Sequence, residues 1–127
     1  MYNAVSKFFG VEVGVFESES HLKKELIKAK QHGYAVGAFN VFNYSSAKAV
    51  LDASENLKAP VILQTSVAVA KHYTPSRLME MLNFLRLGMS KSVCVHLDHC
   101  TDVDFAKRCI DCGWDSVMID LSRLSFD

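Results

Sequence analysis

Proline is scarce, with two in 127 residues, glycine numbers six, and neither sign of charge prevails: 14 Lys and Arg face 14 Asp and Glu. Half the residues are hydrophobic, which together with so little proline and glycine excludes a collagen-like repeat and a disordered tail. Without a basic excess there is no polybasic arm, so no nucleic-acid and no membrane partner is expected. No apolar run approaches the roughly 18–20 residues that cross a bilayer. Met1–Gly10 lacks the apolar block and small-residue cleavage site of a secretory signal. A cytoplasmic protein is expected, with Cys94, Cys100, Cys109 and Cys112 as reduced thiols. A chain of this length can bury a real core without a disulfide or metal staple.

What is present is an alternation of helix and strand in one domain, with residues 18–127 carrying it and residues 1–17 forming an N-terminal extension. Ser20 to His32 reads as a helix capped by Ser20, buried through Leu22, Leu26, Ile27 and Ala29, and stopped by Gly33 in a left-handed turn. Tyr34–Val41 is an apolar run of strand length, in which Gly37 marks a close backbone approach. Ser45 or Ser46 opens a second helix with Ala47, Val50, Leu51 and Ser54 on one face, ending before Pro60. Val61–Ser66 is the second strand. Thr74 as cap and Pro75 at the first helical position begin a helix buried through Leu78, Met81, Leu82 and Leu85. Ser92–Asp98 is the third strand, Thr101 caps a helix that buries Phe105, Cys109 and Ile110, and Ser116–Asp120 is the fourth strand. Each strand is continuously apolar, as expected of parallel strands buried on both faces and joined by right-handed helical crossovers. The fold class is α/β.

The strands end in polar residues: Asn40, Ser66, Asp98 with His99, and Asp120. In parallel α/β folds the C-terminal strand ends share one rim, where active sites form; at any one position the ordinary polarity of loops is the plainer reading, and four such coincidences weaken it without removing it. Asp98-His99 carries the most chemistry, because an imidazole can serve a divalent metal while a neighbouring carboxylate transfers protons. A capping Asp beside a hydrogen-bonded His is the plainer reading of the same pair. His96, inside an apolar strand, reads as a satisfied supporting histidine. Cys109-Ile-Asp-Cys112 matches C-x-x-C but lies at a helix C-terminus, where the dipole disfavours a thiolate, and it reads as packing. His21, His32 and His72 have no second ligand at useful spacing, and Lys23, Lys24, Lys28 and Lys30 form a solvated helix face.

Gly37–Asn43, Ala59–Ser66, Val95–His99 and Cys109–Asp120, in this order and spacing, resemble the class II, metal-dependent ketose-bisphosphate aldolases, a family that includes fructose- and tagatose-bisphosphate aldolases. The resemblance runs from about Leu22 to the end. It implies the first half, about four βα units, of a (β/α)8 TIM barrel preceded by an N-terminal helix. It also implies reversible aldol cleavage of a ketose 1,6-bisphosphate to dihydroxyacetone phosphate and an aldehyde, as in glycolysis. By the same resemblance Asp98 exchanges the proton at the cleaved bond, and His99 is one of three histidine ligands of a catalytic zinc ion. Asp120 resembles a carboxylate at a second or alternative metal position, while Asn40 and Ser66 resemble rim residues near the substrate.

The chain departs from the family at Cys100, where Gly is usual, and at Leu121-Ser-Arg123, where many members have Gly-Ser-His. The two later histidine ligands and the phosphate-binding loops belong to the family's second half-barrel, so His99 alone is not a zinc site. A half-barrel exposes two apolar edges, from which a homo-oligomer is expected. Two readings stay open beside the aldolase: a catalytically inactive half-barrel remnant or interaction protein, and an open sheet of flavodoxin type. The latter predicts a Gly-rich phosphate turn or acidic cluster after the first strand, and Asn40–Asn43 is neither.

Overall fold

In the computed structural model, residues 7–8, 11–12 and 20–125 are described. Two short strands, β1 (Lys7–Phe8) and β2 (Val11–Glu12), pair antiparallel. The remainder of the expected 1–17 extension, and with it most of the Met1–Gly10 segment, lies outside the described residues. From His21 the order is α1 (His21–His32), β3 (Gly37–Asn40), α2 (Tyr44–Leu57), β4 (Val61–Ser66), α3 (Val67–Tyr73), α4 (Pro75–Arg86), β5 (Val93–Cys100), α5 (Val103–Asp111) and β6 (Ser116–Ile119). Strands β3, β4, β5 and β6 form one parallel sheet in sequence order, which is the α/β architecture expected of four successive units of a partial barrel.

Side chains that sit beside one another in a parallel sheet share a face, so the register sorts them. Leu63, Val95, Leu97 and Thr65 point to the helical layer and are fully buried with Leu51, Leu78, Leu82 and Phe105 in one core. Trp114 closes this core from the α5–β6 turn: its indole Nε1 donates to Thr65 Oγ1 at 3.1 Å, and the Thr65 hydroxyl donates to the His96 carbonyl at 3.2 Å. Trp114→Phe leaves a void and removes the bond donated to Thr65 Oγ1, whose hydroxyl keeps its bond to the His96 carbonyl, so it is expected to cost about 2–3 kcal/mol of unfolding free energy, read from the urea midpoint.

Several local expectations are corrected. The sheet is not buried on both faces: β4 alternates buried and half-buried residues, and most of β3 is exposed, because no further strand or layer covers that side among the described residues. Leu26, Ile27 and Ile110 are exposed, while Glu25, Ala29 and Ala106 are buried in their helices. Glu25 is held by Tyr34 Oη at 2.6 Å and Ser92 Oγ at 2.9 Å, and Ser20 Oγ reaches the Asp115 carbonyl at 3.2 Å. These contacts lie where β5 and β6 begin, so α1 plugs the N-terminal rim and its apolar stripe faces along the sheet edge rather than into the helical core.

Capping residues shift for one reason: the side chain that reaches the orphan N–H groups wins, whatever its place in the motif. Asn43 replaces Ser45 and Ser46 as cap of α2, accepting from Ser46 N at 3.0 Å in a reciprocal capping box. Asp102 replaces Thr101 on α5, accepting from Phe105 N at 2.9 Å. Ser20 and Thr74 make no side-chain cap, although Pro75 does occupy the first turn of α4. Gly33 takes the left-handed conformation expected of it. At Gly37 an added Cβ would meet the Phe39 ring at 2.7 Å, a side chain rather than a backbone.

Candidate active site

Parallel strands bring all the polar strand ends to one rim. Asn40, Gln64, His96 and Ser116 form one row across the whole sheet on the face away from α2–α5. Ser66 and Asp98 are neighbours one layer nearer the mouth. Asp120 follows β6 directly, its amide bonded to the Cys100 carbonyl at 2.9 Å. Asn40 therefore sits a layer below Asp98.

Strand β5 runs two residues further than expected, to Cys100, through a bulge between Leu97 and Cys100. His99 lies in that bulge at φ 100°, a conformation that glycine favours and that costs an L side chain on the order of 1–3 kcal/mol. The irregularity turns the imidazole sideways between two carboxylates. Its Nδ1 lies 2.9 Å from Asp120 Oδ2 and its Nε2 lies 3.3 Å from Asp98 Oδ1. His99 is more than half exposed, whereas Asp98 and Asp120 are each about three-quarters covered.

Hydrogen bonds from the Ser122 hydroxyl and amide, then from His99, hold the Asp120 carboxyl down to about 2. Ser122 N donates to Asp120 Oδ1 at 3.0 Å, an Asx turn that leaves Oδ2 for the imidazole. An ionised carboxylate only accepts, so Asp120 draws a proton of His99 to Nδ1, while Nε2 faces the mouth within reach of Asp98 Oδ1. Because the folded value lies below that of a free aspartate, near 4, this contribution to stability is complete above pH 5 and fades as pH falls from 4 to 2. The stability gap between the parent chain and Asp120→Asn is expected to close over that window in acid titrations followed by circular dichroism.

His96 bonds Ser116 Oγ through Nδ1 at 2.7 Å, and burial pushes its protonation downward. It supports the row beneath Asp98 as a neutral imidazole. Ser66 Oγ accepts from Val69 N at 3.3 Å and so caps α3. Burial raises the Cys109 thiol to about 11, consistent with packing rather than thiolate chemistry. The four cysteines are all free thiols.

The donor set is insufficient for zinc by itself. A catalytic zinc takes three protein ligands and one open position. Among the described residues no group of three or more His, Cys, Asp or Glu is arranged to hold a metal ion. His99 offers a single imidazole.

A family model for fructose-bisphosphate aldolase class-II matches residues 20–127. The chain belongs to this family. It is 40% identical over 110 residues to fructose-bisphosphate aldolase of Staphylococcus aureus (strain N315), covering 84% of this chain and 38% of that protein. A sulfofructosephosphate aldolase of Alkalicoccus urumqiensis is 34% identical over 105 residues, covering 83% of this chain and 37% of that one. Among solved structures, a putative fructose-1,6-biphosphate aldolase from Coccidioides immitis superposes with a TM-score of 0.76 at 28% identity, covering 84% of this chain and 37% of its own. The chain thus spans under two-fifths of the length of these relatives.

The four parallel strands of this class II aldolase chain bring Asp98, His99 and Asp120 into contact, with Ser66 adjoining Asp98. Asn40 is on the same face, one row away. Sequence reasoning missed Ser122 as the anchor of Asp120, although the Asp-x-Ser spacing is the signal for an Asx turn. It also missed Ser116 as the partner of His96, since only the register brings residues 20 apart side by side. No helix among the described residues is long and apolar enough to cross a membrane.

Proposed function

We propose that this chain carries the proton-transfer half of a class II aldolase centre, acting in the reversible cleavage of a ketose 1,6-bisphosphate to dihydroxyacetone phosphate and an aldehyde. The observation that carries this reading is the Asp98–His99–Asp120 arrangement at the rim, in a chain whose family is shown by the match over residues 20–127. The compartment that fits is the cytoplasm, and association through the open sheet edges belongs to the same reading.

Asp98 would exchange a proton with the oxygen at the cleaved bond, a role suited to a carboxyl largely covered yet open to the mouth. Asp120 is a positioning residue: it holds the imidazole of His99 and draws a proton to its Nδ1. Ser66 and Asn40 would meet the polar groups of the sugar phosphate. The family resemblance implies zinc, for which His99 would be one ligand and the others would come from outside the described residues.

The test is cleavage of fructose 1,6-bisphosphate by this chain joined to the part of the Staphylococcus aureus enzyme that follows the matched segment. Zinc-dependent cleavage, abolished by chelation and restored by zinc, is expected. A joined protein that folds and binds zinc but does not cleave any ketose bisphosphate would leave the inactive-scaffold reading in its place.

A further inference from the structure

At the N-terminal ends of the parallel strands, on the rim opposite Asp98 and His99, the segments leading into β3, β4 and β5 and the side of α1 border an open pocket of about 510 Å³. Lys28, Lys58 and Lys91 line it from three separate segments: α1, the end of α2 and the loop before β5. Its wall also carries Glu25, Ser90 and Ser92. Among the described residues, the ammonium groups of Lys28, Lys58 and Lys91 make no hydrogen bond or ion pair.

The carboxylates at this pocket are already served by other groups. Glu25, 7% exposed, accepts from Tyr34 Oη at Oε1 and from Ser92 Oγ at Oε2. Glu55, in the last turn of α2, accepts from Ser90 N at 3.0 Å. The Tyr34 bond at Glu25 and the Ser90 amide at Glu55 hold both carboxyls below their usual range, and the three lysines add to this only at a distance. Three ammonium groups thus face two carboxylates, and the charge left over is positive. Lys58 is kept there against local preference: it takes φ 50° at the end of α2, a position that usually falls to glycine.

We infer that this pocket binds a small molecule bearing a phosphoryl dianion, with Lys28, Lys58 and Lys91 each donating to one of its oxygens and the Ser90 hydroxyl supplying a further donor. A phosphoryl group suits three ammonium groups that arrive from three segments, because it offers three strong acceptor oxygens and close to two negative charges. A lone carboxylate offers two oxygens and one charge. The pocket is many times the roughly 30 Å³ share of one water, so a short hydroxylated carbon chain fits beside the phosphoryl group. Glu25 has lone pairs beyond its two bonds and accepts from a hydroxyl of that chain. Bound there, the molecule ties α1 to the turns before β4 and β5, and by linkage it stabilises the folded chain from the rim away from Asp98.

The experiment titrates the chain at about pH 7.5, where a phosphate monoester is close to a dianion, and follows backbone amides by NMR. The probes are glycerol 3-phosphate, inorganic phosphate and, as control, sodium chloride at matched ionic strength. Saturable shifts confined to Tyr34, Ala35, Ala59 and Ser90–Ser92 are expected with glycerol 3-phosphate and not with chloride. Tighter binding of glycerol 3-phosphate than of phosphate makes the occupant a phosphorylated metabolite, whereas equal binding makes it free phosphate. Lys28→Gln and Lys91→Gln are each expected to weaken binding about tenfold, the loss of one hydrogen bond to a charged group. Lys58→Gly is expected to weaken it as much while unfolding at nearly the parent's urea concentration, because relief at φ 50° offsets the looser unfolded chain. Shifts that sodium chloride reproduces, shifts centred on Asp98 and His99, no saturation with either phosphate, or binding indifferent to all three substitutions would overturn the inference.

Discussion

Asp98→Ala is expected to lower kcat for ketose-bisphosphate cleavage by roughly 10²–10⁴-fold in the joined protein, with KM little changed. A proton-transfer group contributes in the transition state far more than in the ground state, so its removal should appear in turnover rather than in substrate binding. The fall is equivalent to about 3–5 kcal/mol of transition-state stabilisation. Asp98 is partly open to solvent and sits one residue before the bulge, so the carboxyl can be removed without emptying the helical core. Unfolding by urea should therefore stay within about 0.5 kcal/mol of the parent. A variant that cleaves at the parent rate would take Asp98 out of the reaction, and the adjacent Ser66 or the His96 row would have to supply the proton.

The fold was legible in the sequence where periodicity and length acted together. Val61–Ser66 is a strand in both readings because an apolar run of that length bounded by Pro60 has no helical alternative. The alternation of four such runs with helices was enough to set a parallel sheet, and hence to put Asn40, Ser66, Asp98 and Asp120 on one rim. Legibility failed where a single side chain could serve two neighbours. Ser46, Thr74 and Thr101 are all good capping types, but α2 uses Asn43, earlier in the chain than the expected serines, and α5 uses Asp102, one residue after Thr101, because their acceptors reach the free N–H groups. Helix α3 was invisible because its seven residues are too few to show a period, and Ser66 looked only like a strand end. Burial failed at the edges: apolar strands were read as covered on both faces, yet covering depends on what lies beyond β3 and β6, and no local pattern reports that.

The site shows the same division. Adjacency made Asp98-His99 conspicuous, and a parallel register was enough to bring Asp120 near. The positive φ of His99 could not be read, since a histidine in an apolar strand carries no mark of a bulge. That backbone state is what turns the ring between Asp98 and Asp120 instead of leaving it on the pleat. It is also why Ser122 matters: the Asx turn holds Asp120 where a displaced imidazole can find it.

His99→Gly and His99→Ala separate what the bulge costs from what the imidazole does. Both remove the imidazole that the proposed function assigns to a metal, so both are expected to weaken zinc binding in the joined protein by at least about 100-fold, since loss of even an outer-sphere partner costs about 10–100-fold. Their stabilities should differ. Alanine keeps a Cβ at φ 100° and retains the strain, whereas glycine occupies that region freely. Glycine loses some of this advantage to the greater entropy of its unfolded chain, about 0.5–1 kcal/mol. His99→Gly is therefore expected to be more stable than His99→Ala by about 1 kcal/mol, measured in the chain alone by urea unfolding. The exposed bonds from His99 to Asp98 and Asp120 vanish equally in both variants, so they cancel from the comparison. A glycine variant no more stable than the alanine one would mean that the bulge is relaxed, and the sideways aim of the ring would then have to come from Asp120 and Ser122 alone.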